Sequence, residues 1–180
     1  MQPLASSRMI LEPLVEAHAD EMFHDLQNAR LYTFVPQDPP ASLGALRTRH
    51  ARLESRQSTD RREAWLNWAL RARVGAQCLG CVQATVFHQD KTALIAYTIF
   101  PQFWRHGYAK EAVLAVLDAL FSGFDLSAVD ALIDTRNVGS IALIESCRFS
   151  RIELLPNADH FKGSNSDEYR YRLERSHWNV

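Results

Sequence analysis

From Trp65 to Arg73 the chain alternates: Leu66, Trp68 and Leu70 fall on one face, and Asn67, Arg71 and Arg73 on the other. A helix would scatter that set around its surface, whereas a pleated strand collects it on one side. Val74-Gly75-Ala76-Gln77 then supplies a hairpin turn, and Leu79 to Phe87 reads as a second strand. His88 to Thr92 turns again, and Ala93 to Phe100 makes a third strand before Pro101. Connections this short suit antiparallel neighbours. The middle of the chain is therefore expected to be an antiparallel meander.

The flanks carry helices. Ala19, Met22, Phe23 and Leu26 recur at helical spacing between Glu16 and Asn28, after a short apolar run from Met9 to Leu14 that predicts a first strand. Pro36 to Pro40 breaks the pattern. Ser42 offers an N-cap to a second helix with Leu43, Leu46, His50 and Leu53 on one stripe. Beyond the meander, Ala109 to Phe121 predicts a helix whose wide apolar face holds Ala112, Val113, Val116, Leu117, Leu120 and Phe121. Val129 to Thr135 follows as a strand, Ser140 to Cys147 as a short helix, Phe149 to Leu155 as a strand, and Tyr169 to Leu173 as a last alternating strand. The order predicts one α/β (α+β) domain over residues 1–180, a mixed, mostly antiparallel sheet with helices packed on it. At 180 residues folding removes roughly 70% of the unfolded chain's surface from water, enough for a core without staples.

Charge and composition exclude several classes. A formal net charge of -1 argues against bulk attraction to nucleic acid or to an anionic membrane. The richest apolar run, Ala112 to Phe121, is short and carries Asp118, so it reads as a core helix and not a membrane span. Met1 to Ser7 lacks the basic and apolar regions of a signal peptide, and three cysteines suit a reducing cytoplasm. Cys78-Leu79-Gly80-Cys81 looks like half a zinc or redox motif, yet on a strand residues three apart face opposite ways and no second pair exists. No metal is expected. Neither H-E-x-x-H nor G-x-S-x-G occurs. Arg47, Arg49, Arg52, Arg56, Arg61 and Arg62 make a basic stretch, read either as a solvated face or as a patch for an acidic partner or ribosomal RNA.

The chemistry is concentrated in Ala96 to Ala112: a strand, a loop with Gly107, and the start of the most apolar helix. Helix N-termini present unpaired N–H groups and partial positive charge, a geometry that holds a diphosphate. Gly107 lets backbone approach phosphate oxygens, with Arg105, His106 and Lys110 adding charge. Neither G-x-G-x-x-G nor G-x-x-x-x-G-K-[ST] is present.

Trp104-Arg105-His106-Gly107-Tyr108-Ala109-Lys110-Glu111-Ala112 resembles the acetyl-CoA loop of the GNAT superfamily of N-acetyltransferases, where the pattern is Q/R-x-x-G-x-G/A, often with tryptophan first. Asn137-Val138-Gly139-Ser140 through Phe149 resembles the same superfamily's Asn-x-x-Ser, apolar helix, Gly-Phe segment. The order of elements along nearly the whole chain agrees, and the chain is most similar to the branch with ribosomal-protein N-terminal acetyltransferases. Arg105 stands where many relatives carry a second glycine, and Arg148 where glycine usually precedes the phenylalanine. A left-handed backbone after the short helix would be costly for arginine.

The resemblance implies helices on both sheet faces and a central strand pair that splays to admit the pantetheine arm. Thr98, Ile99 and Phe100 would contact the arm, Arg105, His106, Gly107, Tyr108, Ala109 and Lys110 would hold the diphosphate, and Asn137 would bond the cofactor from the other side. Acetyl-CoA would give its acetyl group to a primary amine, on a small molecule or a protein N-terminus, by direct attack. Ser140 would protonate the leaving sulfur, or else serve as the first residue of its helix; Asn137 is alternatively a cap. Tyr32, Trp68 and Tyr97 line an acceptor pocket or are core aromatics. Glu63, His88, Asp134, Glu153 and His160 are all open as the base. A homodimer is in keeping with the family. Two rival readings stand beside the enzyme: a CoA-binding regulatory module without turnover, and a ribosome- or RNA-associated binding protein.

Overall fold

Antiparallel pairing runs unbroken through the first five strands: β1 (Leu4–Ala5), β2 (Met9–Pro13), β3 (Glu63–Ala72), β4 (Cys78–Phe87) and β5 (Thr92–Ile99). The meander read from alternation is thus present in a computed structural model that describes residues 1–178. α3 (Tyr108–Gly123) then crosses to β6 (Ala128–Asp134), which lies parallel to β5. After α4 (Val138–Ser146), the hairpin of β7 (Ser150–Phe161) and β8 (Ser164–Glu174) completes an eight-stranded sheet in the order 1-2-3-4-5-6-8-7. A short α5 (Arg175–Trp178) follows. Among the described residues no helix is long and apolar enough to cross a membrane.

The sheet is covered on both faces. All six apolar residues expected on the face of α3 are buried, five of them completely, and each of the five larger than alanine removes surface worth roughly 1.5–3 kcal/mol. They join Trp68, Val82, Ile95, Val129, Tyr171 and others in the larger core cluster. On the opposite face α1 (His18–Met22) and α2 (Leu43–Glu54) shelter a smaller cluster of Leu14, Met22, Ala69 and Phe100. The Ser42 hydroxyl accepts the Ala45 N–H at 3.1 Å, the cap expected for α2. Leu46 and His50 are buried. Burial, with Arg49 and His18 nearby, pushes His50 down to about pKa 4, so it is neutral at pH 7.

Two expectations are corrected. The helix expected over 16–28 is a five-residue turn, α1, followed by 3-10 segments at Asp25–Gln27 and Ala29–Tyr32. Phe23 and His24 keep helical backbones between the first two pieces, and Asn28, the last residue of the expected span, ends the run: its backbone is extended and its side chain accepts the Arg30 N–H, starting a new segment. The second correction concerns the cysteines. Register shifts from Leu70 opposite Gly80 to Arg71 opposite Cys78, so Leu79 is a bulged extra residue and the alternation is inverted there. Cys78 and Cys81 consequently share a face, both packed against the smaller cluster. Burial raises both thiol pKa values, that of Cys78 to about 12.

Gly80 is the pivot of that bulge. Its φ is +142°, and a Cβ there would stand 2.0 Å from the Thr98 carbonyl oxygen and 2.9 Å from Ile99 Cα. Gly80→Ala is expected to cost roughly 3 kcal/mol or more, from overpacking and backbone strain together. Urea unfolding measures it; a cost under about 1 kcal/mol would show that β5 can move away freely.

Candidate active site

Only three rungs join β5 to β6: Thr92–Ala128, Ala93–Val129 and Leu94–Asp130. Beyond them the strands part, although β5 stays on β4 as far as Ile99 and β6 stays on β8 as far as Asp134. The Phe100 N–H donates to the Leu79 carbonyl at 2.9 Å. Backbone groups alternate sides along a strand, so those of Ile99 and Tyr97 turn towards the opening. Trp104 Nε1 donates to the Ile99 carbonyl at 2.6 Å, leaving the Ile99 N–H and both Tyr97 groups facing the gap. A strand edge of this kind is what an extended, amide-bearing arm can pair with.

The other wall is α4. Asn137 caps it, its side-chain oxygen accepting the Ser140 N–H at 3.1 Å. The Asn137 amide nitrogen is left to bond elsewhere. Tyr97 spans the gap, its hydroxyl donating to the Ser140 carbonyl at 3.3 Å. Burial raises its pKa to about 12, so it holds this bond as a neutral donor.

The end of the gap is closed by the loop into α3. Arg105 and Gly107 both take left-handed backbones, φ 65° and 82°. The bond from the Glu111 N–H to the Gly107 carbonyl opens the helix, and no side chain caps it. The N–H groups of Gly107, Tyr108, Ala109 and Lys110 therefore converge without an intrahelical partner, at the positive end of a 16-residue dipole. That is an anion cradle.

Residues 8–150 match the family model of the acetyltransferase (GNAT) domain. The chain belongs to the GNAT acetyltransferase family. It is 21% identical over 171 residues to the uncharacterized N-acetyltransferase YoaA of Bacillus subtilis, covering 94% of this chain and 95% of that protein. It is 32% identical over 85 residues to the uncharacterized N-acetyltransferase p20 of Bacillus licheniformis, a match spanning 47% of this chain and only about half, 48%, of that relative. RimL, a ribosomal-protein alpha-N-acetyltransferase solved with coenzyme A, shares the fold at a TM-score of 0.87 and 14% identity, over 98% of this chain and 99% of that one. Spermidine N-acetyltransferase from Vibrio cholerae, solved with CoA and spermine, superposes at 0.83 with 17% identity, over 97% and 99%.

Within this GNAT domain, the gap and its loop bring together Ile99, Tyr97, Asn137, Ser140 and the run from Arg105 to Lys110. Other expected contacts fall elsewhere. Phe100 is fully buried in the smaller cluster and spends its N–H on Leu79, which leaves it no donor for an arm in the gap. Thr98 turns its carbonyl to Gly80 on β4, and its side chain lies beside Cys81. Trp68 is 2% exposed within the larger core, which fits a packing role and not a pocket wall. Tyr32 lies across the sheet from Tyr97: its hydroxyl donates to the Leu26 carbonyl at 2.8 Å, and Lys162 at the tip of the β7–β8 hairpin donates to its own carbonyl. Arg148, like Arg105, is left-handed, with φ 70°.

The carboxylates and histidines open as bases are mostly occupied. Glu63 accepts from Trp65 Nε1 at 2.8 Å, Glu153 lies 3.5 Å from Arg170, His160 is 2.7 Å from the Asn165 side chain, and His88 packs near Phe124. Glu168 was not singled out by any sequence pattern. It stands opposite Asp134 on β8, beside the last residue of β6. Burial raises its pKa, with Asp159 and Asp134 adding repulsion. Gly80 is the second omission; a lone glycine in a strand was the available signal.

Asp134 is 3% exposed. Hydrogen bonds from Arg136, with a further one from the Ser166 hydroxyl at 2.6 Å, lower its pKa to about 2. A depressed carboxylate stabilises the fold above its unfolded value, about 3.9, and that contribution is lost as pH falls through the folded value. Urea unfolding of the parent should therefore lose stability between about pH 4 and pH 2, and Asp134→Asn should flatten that segment of the curve.

Proposed function

We propose that this protein is an acetyl-CoA-dependent N-acetyltransferase that acetylates a primary amine, on a small molecule or a protein N-terminus, in a ternary complex. The observation that carries the reading is the opened β5–β6 pair lying directly beside the uncapped N-terminus of α3. Acetyl-CoA supplies an activated acyl group; the chain's task is to hold it in line with the amine, which lowers the barrier by removing translational and rotational freedom beforehand. The N–H groups of Gly107 to Lys110 receive the diphosphate. Ile99 and Tyr97 offer main-chain bonds to the arm, and the free amide nitrogen of Asn137 bonds it from the α4 side.

The amine nitrogen bonds the acetyl carbon as the C–S bond breaks, and Ser140, in the first turn of α4, relays a proton from that nitrogen to the departing sulfur. Glu168 takes a proton from the incoming ammonium, since a carboxylate with a raised pKa works as a base nearer neutral pH than an exposed one. The substrates in the names of RimL and the spermidine enzyme support an amine acceptor. Three free cysteines support a reducing, cytoplasmic setting.

Calorimetric titration with acetyl-CoA tests the site. Saturable one-to-one binding is expected for the parent, and Gly107→Val should lose it, because a β-branched residue is strained at φ 82° and its Cβ would meet Arg8 at 3.3 Å. No parent binding at millimolar cofactor refutes the reading. In a thiol-release assay with an amine that is turned over, Glu168→Gln should abolish the rise of kcat with pH that the parent shows through the Glu168 titration. An unchanged pH profile removes Glu168 from the mechanism.

A further inference from the structure

The turn between β1 and β2 reaches across the molecule to the anion cradle through one residue. The Arg8 backbone N–H donates to Glu111 Oε1 at 2.7 Å, and its Nε donates to Oε2 at 2.7 Å. Its Nη1 donates to the His106 carbonyl at 2.8 Å. Its guanidinium lies 4.6 Å over the Tyr108 ring, and Nη2 sits 3.3 Å from where a Cβ on Gly107 would stand. A single side chain from the first hairpin thus touches His106, Gly107, Tyr108 and Glu111.

Two physical consequences follow for a bound anion. In a trans peptide the C=O and the next N–H point in opposite directions. Holding the His106 carbonyl towards Arg8 therefore turns the Gly107 N–H away from Arg8, into the set of unpaired donors at the start of α3. The second consequence is electrostatic. Glu111 lies in the first turn of α3, where an unpaired carboxylate would repel a diphosphate held at the same helix end. Its two-point pairing with Arg8 cancels that charge in a fixed geometry.

We propose that Arg8 is a positioning residue for cofactor binding: it sets the Gly107 peptide and neutralises Glu111 so that the loop accepts the diphosphate. The inference rests on the acetyl-CoA reading above and adds a requirement outside the loop motif. Lysine at this position keeps the charge but cannot bond Glu111 and His106 in the same fork.

The test compares the dissociation constants of acetyl-CoA and of acetyl-pantetheine, which has the arm without the diphosphate, for the parent, Arg8→Ala and Arg8→Lys. Thermal melts accompany each variant. Arg8→Ala is expected to weaken acetyl-CoA at least about tenfold while leaving acetyl-pantetheine within twofold of the parent, and Arg8→Lys to recover only part of the loss. Equal weakening of both ligands would reduce Arg8 to a general structural tie and overturn the proposal. Parent-like acetyl-CoA binding by Arg8→Ala would overturn it as well. Failure of the parent itself to bind acetyl-CoA is a separate result, refuting the acetyltransferase reading on which the proposal stands.

Discussion

The parting of β5 from β6 after three rungs is the constraint on which the rest of this structure depends. A parallel pair left unzipped exposes main-chain donors and acceptors, and a buried sheet ordinarily avoids that. Here the exposure is held open from three sides. On β4, the bulge at Leu79 and the missing Cβ of Gly80 draw the end of β5 towards its antiparallel neighbour. On β8, seven consecutive pairings keep β6 on its own course. Between them, Tyr97 ties β5 to α4 at a spacing too wide for strand pairing. The opening is consequently a property of well-packed elements and not of a mobile loop.

Function and stability meet at the left-handed residues. Arg105 and Arg148 both adopt positive φ, a conformation costing a non-glycine residue of the order of 1 kcal/mol or more. Arg105 sits in the cradle loop, and Arg148 closes α4, where its N–H bonds the Glu145 carbonyl at 3.0 Å. Fully buried core on either side makes such strain tolerable: α3 follows the first, and Cys147 and Phe149 flank the second. At Arg148 the chain thus takes the backbone that glycine adopts most easily, with arginine in its place.

Legibility in the sequence followed the range of the interactions. Alternation in Trp65 to Arg73, the apolar face of α3 and the Ser42 cap depend on residues within a few positions, and all three are found where the pattern puts them. The helix over 16–28 gives way after Met22 to a 3-10 segment although Phe23 and His24 keep helical backbones, and apolar spacing does not distinguish α from 3-10 winding over so short a run. The two cysteines were placed on opposite faces because strict alternation assumes no bulge. Arg8 with His106 and Glu111, and Glu168 with Asp134, are partners 98, 103 and 34 residues apart, and no local pattern encodes them.

That difference in range also separates two regions of the molecule. The gap and the cradle are built from a strand edge, a helix end and a cap, local devices that a motif can carry. On the opposite sheet face, pieces that meet only in the fold come together: the 3-10 segment of Ala29–Tyr32, and the β7–β8 hairpin tip, which reaches the Tyr32 carbonyl through Lys162. Arg49 lies near Tyr32 and Cys81 on that face, and Glu168 lies near Asp159 and Asp134. The fold is shared with proteins at 14–21% identity, and irregular segments such as these are where proteins of one fold are free to differ.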